Sequence, residues 1–172
     1  DKEFCRSYLR TSAYKTSYNE SYEDALAVAT YIRHINPKRM HIAFIGKTNY
    51  EYIACLTGMI FSGNVVVPFA PDITVEEATN LFADADIEML FCEEEMIPTA
   101  IEIQKRTPAL KKIVSLGDIK WFANIFETYN SESEYAGLEN VEIDIDACAL
   151  IIYTSGTTGD RKGVMLSNHN IA

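Results

Sequence analysis

The sequence predicts an α/β fold, with a parallel-type sheet flanked by helices. Strand-sized apolar runs alternate with helix-sized amphipathic stripes along most of the chain, a pattern whose usual solution is a parallel sheet covered on both faces. Helix caps and breakers fall between these runs. The size and composition, 172 residues with 48% apolar and 23% charged side chains, suit one domain that buries roughly two-thirds of its unfolded surface.

The elements follow in order. After a polar, Tyr-rich opening, Ser21 and Asp24 form a cap-like pair, and Tyr22, Ala25, Leu26, Ala29, Ile32 and Ile35 recur at helical spacing. Pro37 ends that helix, and residues 41–45 form a short strand closed by Gly46. Residues 50–61 are apolar nearly all round, as in a helix enclosed by a core, and Gly63 and Asn64 mark its exit. The β-branched run 65–67 is a second strand. It is expected to end at Pro68, or to lie with one side unpaired, because proline has no N–H to donate.

Thr74 and Glu77 make the S/T-x-x-E cap of a third helix, whose stripe is Val75, Ala78, Leu81, Phe82 and Ala85. Residues 87–92 form the third strand. The acidic run 93–95 reads as a solvated helix start favoured by the helix dipole, and Pro98 suits the first turn that follows. Thr107 and Pro108 close this helix before a strand at 112–116. Residues 118–129 read as another helix and 130–146 as a polar, acidic surface connection, leading to an apolar strand at 147–153. Trp121 is expected to be a core or groove aromatic without assignable chemistry.

With 15 Lys and Arg against 25 Asp and Glu, the formal charge of −10 repels a polyanion over most of the surface, so no nucleic-acid partner is expected. A nucleotide would need a local positive island. Cys5, Cys55, Cys92 and Cys148 form no CxxC pair, and His34, His41 and His169 do not cluster, so reduced thiols in a cytoplasmic protein are expected and no metal site. No apolar run approaches the ~20 residues of a transmembrane segment. The opening DKEFCRSYLR lacks the apolar core of a signal peptide, and without an initiator Met it reads as starting inside a longer product or as following a removed tag.

The chemistry is concentrated after residue 153. Thr154, Ser155, Gly156, Thr157, Thr158, Gly159, Asp160, Arg161, Lys162 and Gly163 pack four hydroxyls, three glycines and a lysine behind an apolar strand. Glycines expose backbone N–H groups, hydroxyls add donors, and a lysine supplies a compact charge suited to phosphate oxygens. On composition alone, a mobile turn between two strands is an equal alternative. The nucleoside-triphosphatase loop G-x-x-x-x-G-K-[ST] is excluded by spacing, because Arg161 stands where its second Gly must be and Gly163 follows Lys162.

The string YTSGTTGDRKGVMLSNHNI resembles the signature of the adenylate-forming superfamily, roughly [YF]-[ST]-S-G-[ST]-T-G-x-P-K-G-V. Tyr153 through Gly159 and Lys162 through Val164 match it. Upstream, MHIAFIGKTNYEYIACLTGMIFSGNVVVPFAPDITVEEATNLFADADIEMLF and SYEDALAVATYI are similar to family segments, so the resemblance covers about residues 21–172. Arg161 departs from the usual Pro, which removes a fixed φ and loosens the loop, and its side chain could also touch phosphate. Asn168 stands where many members have His, and is expected to serve as a helix cap.

The resemblance implies that residues 1–172 are the N-terminal portion of the large domain of an ATP-dependent ligase, with 153–164 as phosphate-binding loop. Such enzymes activate a carboxylic acid with Mg²⁺ and ATP as acyl-AMP, then pass the acyl group to a thiol, commonly coenzyme A. Thr154, Ser155, Gly156, Thr157, Thr158, Gly159, Lys162 and Gly163 would bind the nucleotide, none as general base or nucleophile. The family's other functional segments lie downstream, so this stretch alone is expected to be inactive. LIIYTSGTTG, GVMLS and NI look most like acyl-CoA synthetases, which favours a fatty or other acyl acid. An amino-acid-activating domain of a peptide synthetase, or a non-catalytic nucleotide- or partner-binding module, are the alternatives.

Overall fold

The computed structural model describes residues 2–9, 12–116, 138, 141–155 and 161–172. The expected helix at 118–129, Trp121 and most of the connection 130–146 lie outside the described residues, as do Gly156, Thr157, Thr158, Gly159 and Asp160. Strands β1 (Glu3–Leu9) and β2 (Ser12–Ser17) are followed by α1 (Tyr18–Ile35), β3 (His41–Ile45), α2 (Tyr50–Phe61), β4 (Val65–Phe69) and α3 (Val75–Asp84). Then come β5 (Ile87–Cys92), a 3-10 turn (Glu94–Met96), α4 (Ile97–Arg106), β6 (Lys112–Ser115), β7 (Cys148–Ser155), β8 (Arg161–Ser167) and α5 (Asn168–Ile171).

The main sheet has the order β6-β5-β3-β4-β7-β8. All neighbours are parallel except β7 and β8, which form an antiparallel pair at one edge. Its residues point alternately to two cores. On one face Ile42, Phe44, Val66, Met89 and Phe91 meet α1 and α2 through Val28, Ile32, Ala54, Cys55 and Met59. On the other, Ala43, Ile45, Val65, Val67 and Leu90 meet α3 and α4 through Ala78, Phe82, Ala100 and Ile103. Helices on both faces make the fold the expected α/β arrangement.

Several local expectations need correction. Helix α1 begins at Tyr18, capped by Ser17 and not by Ser21. The Glu20 N–H donates to Ser17 Oγ at 3.2 Å and the Ser17 N–H to Glu20 Oε2 at 2.8 Å, a reciprocal box four residues upstream of the expected one. Ser17→Ala is expected to cost about 1 kcal/mol in chemical denaturation. Asp24, expected as a cap partner, instead accepts from the Tyr50 hydroxyl, and burial holds its carboxyl above the usual range. Tyr22 is 56% exposed, although expected on the buried face. The polar opening forms the hairpin β1–β2, which runs directly into α1.

Strand β4 does not stop at Pro68 but continues to Phe69, with Pro68 opposite Phe44 of β3. On its other side the one partner pair is Val66 with Leu150, so a residue without an N–H is tolerated beyond it. Helix α2 is enclosed on the sides facing α1 and the sheet, while Ile53, Leu56 and Ile60 are only half-buried. At its exit Gly63 takes φ +80°. Asn64 then donates to Ser62 Oγ (2.6 Å) and accepts from the Met40 N–H (2.8 Å), tying the end of α2 to the start of β3.

Thr74 caps α3 as expected, accepting from the Glu77 N–H at 3.2 Å. The acidic run does stand at a helix entrance, and Glu93 also accepts from the Lys47 N–H at 2.7 Å while the Lys47 ammonium lies 3.5 Å from both Glu93 and Glu95. No helix among the described residues is long and apolar enough to cross a membrane.

Cys55, Cys92 and Cys148 are free thiols. Burial pushes Cys92 up to about 11 and raises Cys55 further. The fold therefore keeps protons that the unfolded chain releases above the ordinary thiol value of 9.0. The unfolded state then binds fewer protons, so stability falls as pH rises from that value through about 11. Thermal melts across this range are expected to show a shallower decline for Cys55→Ala/Cys92→Ala than for the parent protein.

Candidate phosphate site at the carboxyl edge of the sheet

The five parallel strands β3, β4, β5, β6 and β7 all end at one edge of the sheet, the edge where open α/β sheets bind ligands. Strand β7 delivers Tyr153, Thr154 and Ser155 to that edge, and β8 leads away from it with Arg161, Lys162 and Gly163. Of the expected loop 153–164, the described residues are 153–155 and 161–164. Both its ends are strand, paired Ser155 with Arg161, Thr154 with Lys162 and Tyr153 with Gly163.

This register sets two of the sequence-predicted residues against each other. Thr154 and Lys162 are cross-strand partners, and both are exposed. Partners in an antiparallel pair share a face, so a hydroxyl and an ammonium stand side by side on the hairpin. Lys162 has no side-chain hydrogen bond or ion pair to another described residue, while Arg161 beside it is engaged by Glu77 of α3. Ser155 lies at the last position of β7. Gly163 lies within β8, where a Cβ would come within 3.0 Å of Ile151 Cγ2 and 3.4 Å of the Tyr153 ring. Its lack of a side chain leaves room for that ring.

Tyr153 is held from both ends. Its ring stacks on Phe69 at 5.8 Å, which in turn meets Phe82 at 5.2 Å. Its hydroxyl donates to Asp84 Oδ2 at 2.5 Å. Burial, together with this carboxylate, raises the phenol well above its ordinary value, so it remains a neutral donor. Sequence reasoning did not single out Asp84 or Glu77 as partners of the hairpin, since pairs this distant leave no local pattern.

A cleft of about 550 Å³ adjoins the hairpin on the α3 side, lined by Thr74, Glu76, Glu77, Asn80, Asp84 and Arg161 among others. Three carboxylates face one guanidinium that is already paired, so phosphate does not belong there. Thr154 and Lys162 do not line that cleft, and their pair on the hairpin is the candidate anion site.

Beyond the hairpin, the expected cap role of Asn168 is corrected. Ser167 is the N-cap of α5, its N–H donating to Asn170 Oδ1 at 3.0 Å. Asn168 instead donates from Nδ2 to the Asp144 carbonyl at 2.9 Å, pinning the chain that enters β7.

An open, mostly parallel sheet with helices on both faces and a hydroxyl-, glycine- and lysine-bearing hairpin at its carboxyl edge defines an α/β protein of the nucleotide-binding kind of architecture. A family model described as AMP-binding enzyme matches residues 1–172, and the chain belongs to that family.

Malonate-CoA ligase of Arabidopsis thaliana is 31% identical over 142 residues, covering 78% of this chain and 22% of the relative. Fatty acid-[acyl-carrier-protein] ligase ScoC of Streptomyces coeruleorubidus is 30% identical over 131 residues, covering 75% and 23%. The chain thus spans under a quarter of these relatives' lengths. Among solved structures, the inhibitor-bound N-terminal domain of FACL13 from Mycobacterium tuberculosis superposes with a TM-score of 0.75 at 20% identity, covering 90% of this chain and 38% of that one. The fatty acyl-adenylate ligase from L. pneumophila gives 0.72 at 19% identity, covering 99% and 28%. These likenesses establish the fold.

Proposed function

We propose that the whole protein is an AMP-forming ligase that activates a fatty or other acyl acid with ATP and Mg²⁺ and transfers the acyl group to coenzyme A. The observation that carries this reading is the pairing of Thr154 with an exposed Lys162 at the carboxyl edge of the sheet, within a signature match. Residues 1–172 would be the N-terminal part of the large domain. The remainder of that domain and a mobile C-terminal domain would supply the acyl pocket and the carboxylate for Mg²⁺. The cytoplasm is the compartment this reading favours.

A carboxylate resists acyl transfer because oxide is a poor leaving group, whereas a mixed anhydride with AMP can release AMP. Attack of the carboxylate oxygen on the α-phosphorus forms that anhydride as the bond to pyrophosphate breaks. Negative charge then accumulates on the departing phosphates. Lys162 and the hydroxyls of Thr154, Ser155, Thr157 and Thr158 would hold that charge, with the N–H groups near Gly156 and Gly159 and the Cβ-free backbone at Gly163. Their role is electrostatic and positional, with no proton transfer.

The relatives' names support carboxylate activation and divide over the acceptor, coenzyme A in one and an acyl-carrier protein in the other. The test is incubation of the whole protein with Mg·ATP, fatty, aromatic and amino acids, and either coenzyme A or a carrier protein, with mass detection of products. An acyl-CoA from a fatty acid is expected. Formation of aminoacyl-AMP alone would move the assignment to the amino-acid-activating class, and no AMP from any acid would leave a non-catalytic module.

A further inference from the structure

Helix α3 carries Glu77 and Asp84 seven positions apart, two turns along one face. Each takes hold of a different strand of the β7–β8 hairpin. Asp84 accepts from the Tyr153 hydroxyl at 2.5 Å, two residues before β7 ends, and Glu77 Oε1 pairs with Arg161 Nε at the first residue of β8. In sequence, one contact precedes residues 156–160 and the other follows them. Helix α3 is fixed independently of them, because Ala78, Leu81 and Phe82 are buried in the core and Thr74 caps its start.

Arg161 is the position at which the sequence departs from the proline of the signature. A proline would limit the backbone there by fixing φ. An arginine does not, yet this arginine is tethered through its side chain to a rigid helix. We propose that Glu77 is a positioning residue for the phosphate loop: its ion pair with Arg161, seconded by Asp84 on Tyr153, does through side chains what proline does through the backbone. Arg161 is then a tether and not a phosphate ligand. This rests on the reading of 153–164 as the phosphate loop.

The size of the effect follows from exposure. The Arg161 and Glu77 side chains are 43% and 31% accessible. Such a pair is worth at most about 1 kcal/mol, so its loss is expected to change loop behaviour by about fivefold. That is small enough to leave the fold intact and large enough to read in nucleotide affinity.

The test compares Glu77→Gln, Arg161→Glu and the swap Glu77→Arg/Arg161→Glu in the whole protein. Without nucleotide, amide hydrogen exchange in 153–155 and 161–163 is expected to speed up about fivefold in each single variant and return to the parent rate in the swap. In ATP-pyrophosphate exchange the KM for ATP is expected to rise by the same factor with kcat nearly unchanged, and again to be restored by the swap.

If Glu77→Gln leaves amide exchange unchanged, the tether is refuted. If the swap remains as impaired in ATP use as Arg161→Glu, Arg161 serves phosphate directly and the proposal is likewise refuted. The amide measurement needs no nucleotide, so it judges the tether even if Lys162→Ala shows that the phosphate reading is wrong.

Discussion

Lys162→Ala is expected to lower ATP-pyrophosphate exchange by about 100-fold, with the melting temperature unchanged. The chain carries a formal −10, and the hairpin has two cations, of which Arg161 is engaged by Glu77. Lys162 is exposed, faces Thr154 across the ladder and has no described partner to surrender when a phosphate arrives. Removing one preorganised group that stabilises developing charge typically costs a factor of 100 or more, about 2.7 kcal/mol of barrier. Because the side chain is exposed, the loss falls on catalysis and not on stability. Lys162→Arg should recover part of the rate, since the charge is kept but the planar fork replaces a compact ammonium. An unchanged exchange rate in Lys162→Ala would remove this residue from the site.

Gly58→Ala is expected to destabilise the protein by about 2 kcal/mol, although alanine is the better helix former. Gly58 sits where α2 crosses α1. A Cβ there would lie 2.6 Å from the Ala25 carbonyl oxygen, 2.6 Å from Val28 Cβ and 2.8 Å from Val28 Cγ1. Two of these neighbours are fixed to the α1 backbone, so no rotamer change relieves them and the helices must move apart. That opens the core in which Val28, Cys55 and Met59 are buried. Urea denaturation is expected to show a lower midpoint with an unchanged slope. A midpoint equal to or above that of the parent would mean that the helices separate without cost.

What the sequence could reveal depended on burial. Strands β3 and β5 lie between neighbours and under helices on both faces, so their apolar runs at 41–45 and 87–92 were legible to the residue. The stripe of α3 was equally plain because only one of its faces is buried. The hairpin β1–β2 left no comparable signal, since its opening is polar and strands can pair through backbone alone. Strand β8 was hidden for a related reason. Its RKGVMLS lies at the sheet edge with Val164 and Met165 exposed, so no buried alternation marks it, and its Gly and two cations resemble loop composition.

The candidate site divides in the same way. The signature residues could be named from order and spacing, because their chemistry is local. Their support could not. The cap at Ser17 was missed because Ser21 offers a similar pattern four residues later. The engagement of Asp84 and Glu77 with Tyr153 and Arg161 spans about half of the chain, a separation at which single-sequence patterns carry no information. The role of Gly58 is likewise set by a second helix and not by its own.

The central claim is that this chain provides the phosphate-binding edge of an acid-activating ligase. Its most direct test is exchange of labelled pyrophosphate into ATP by the whole protein, with and without added carboxylic acids. The expected result is exchange that depends on a fatty or other acyl acid and falls sharply in Lys162→Ala. A folded protein that binds ATP yet shows no acid-dependent exchange with any acid would contradict it.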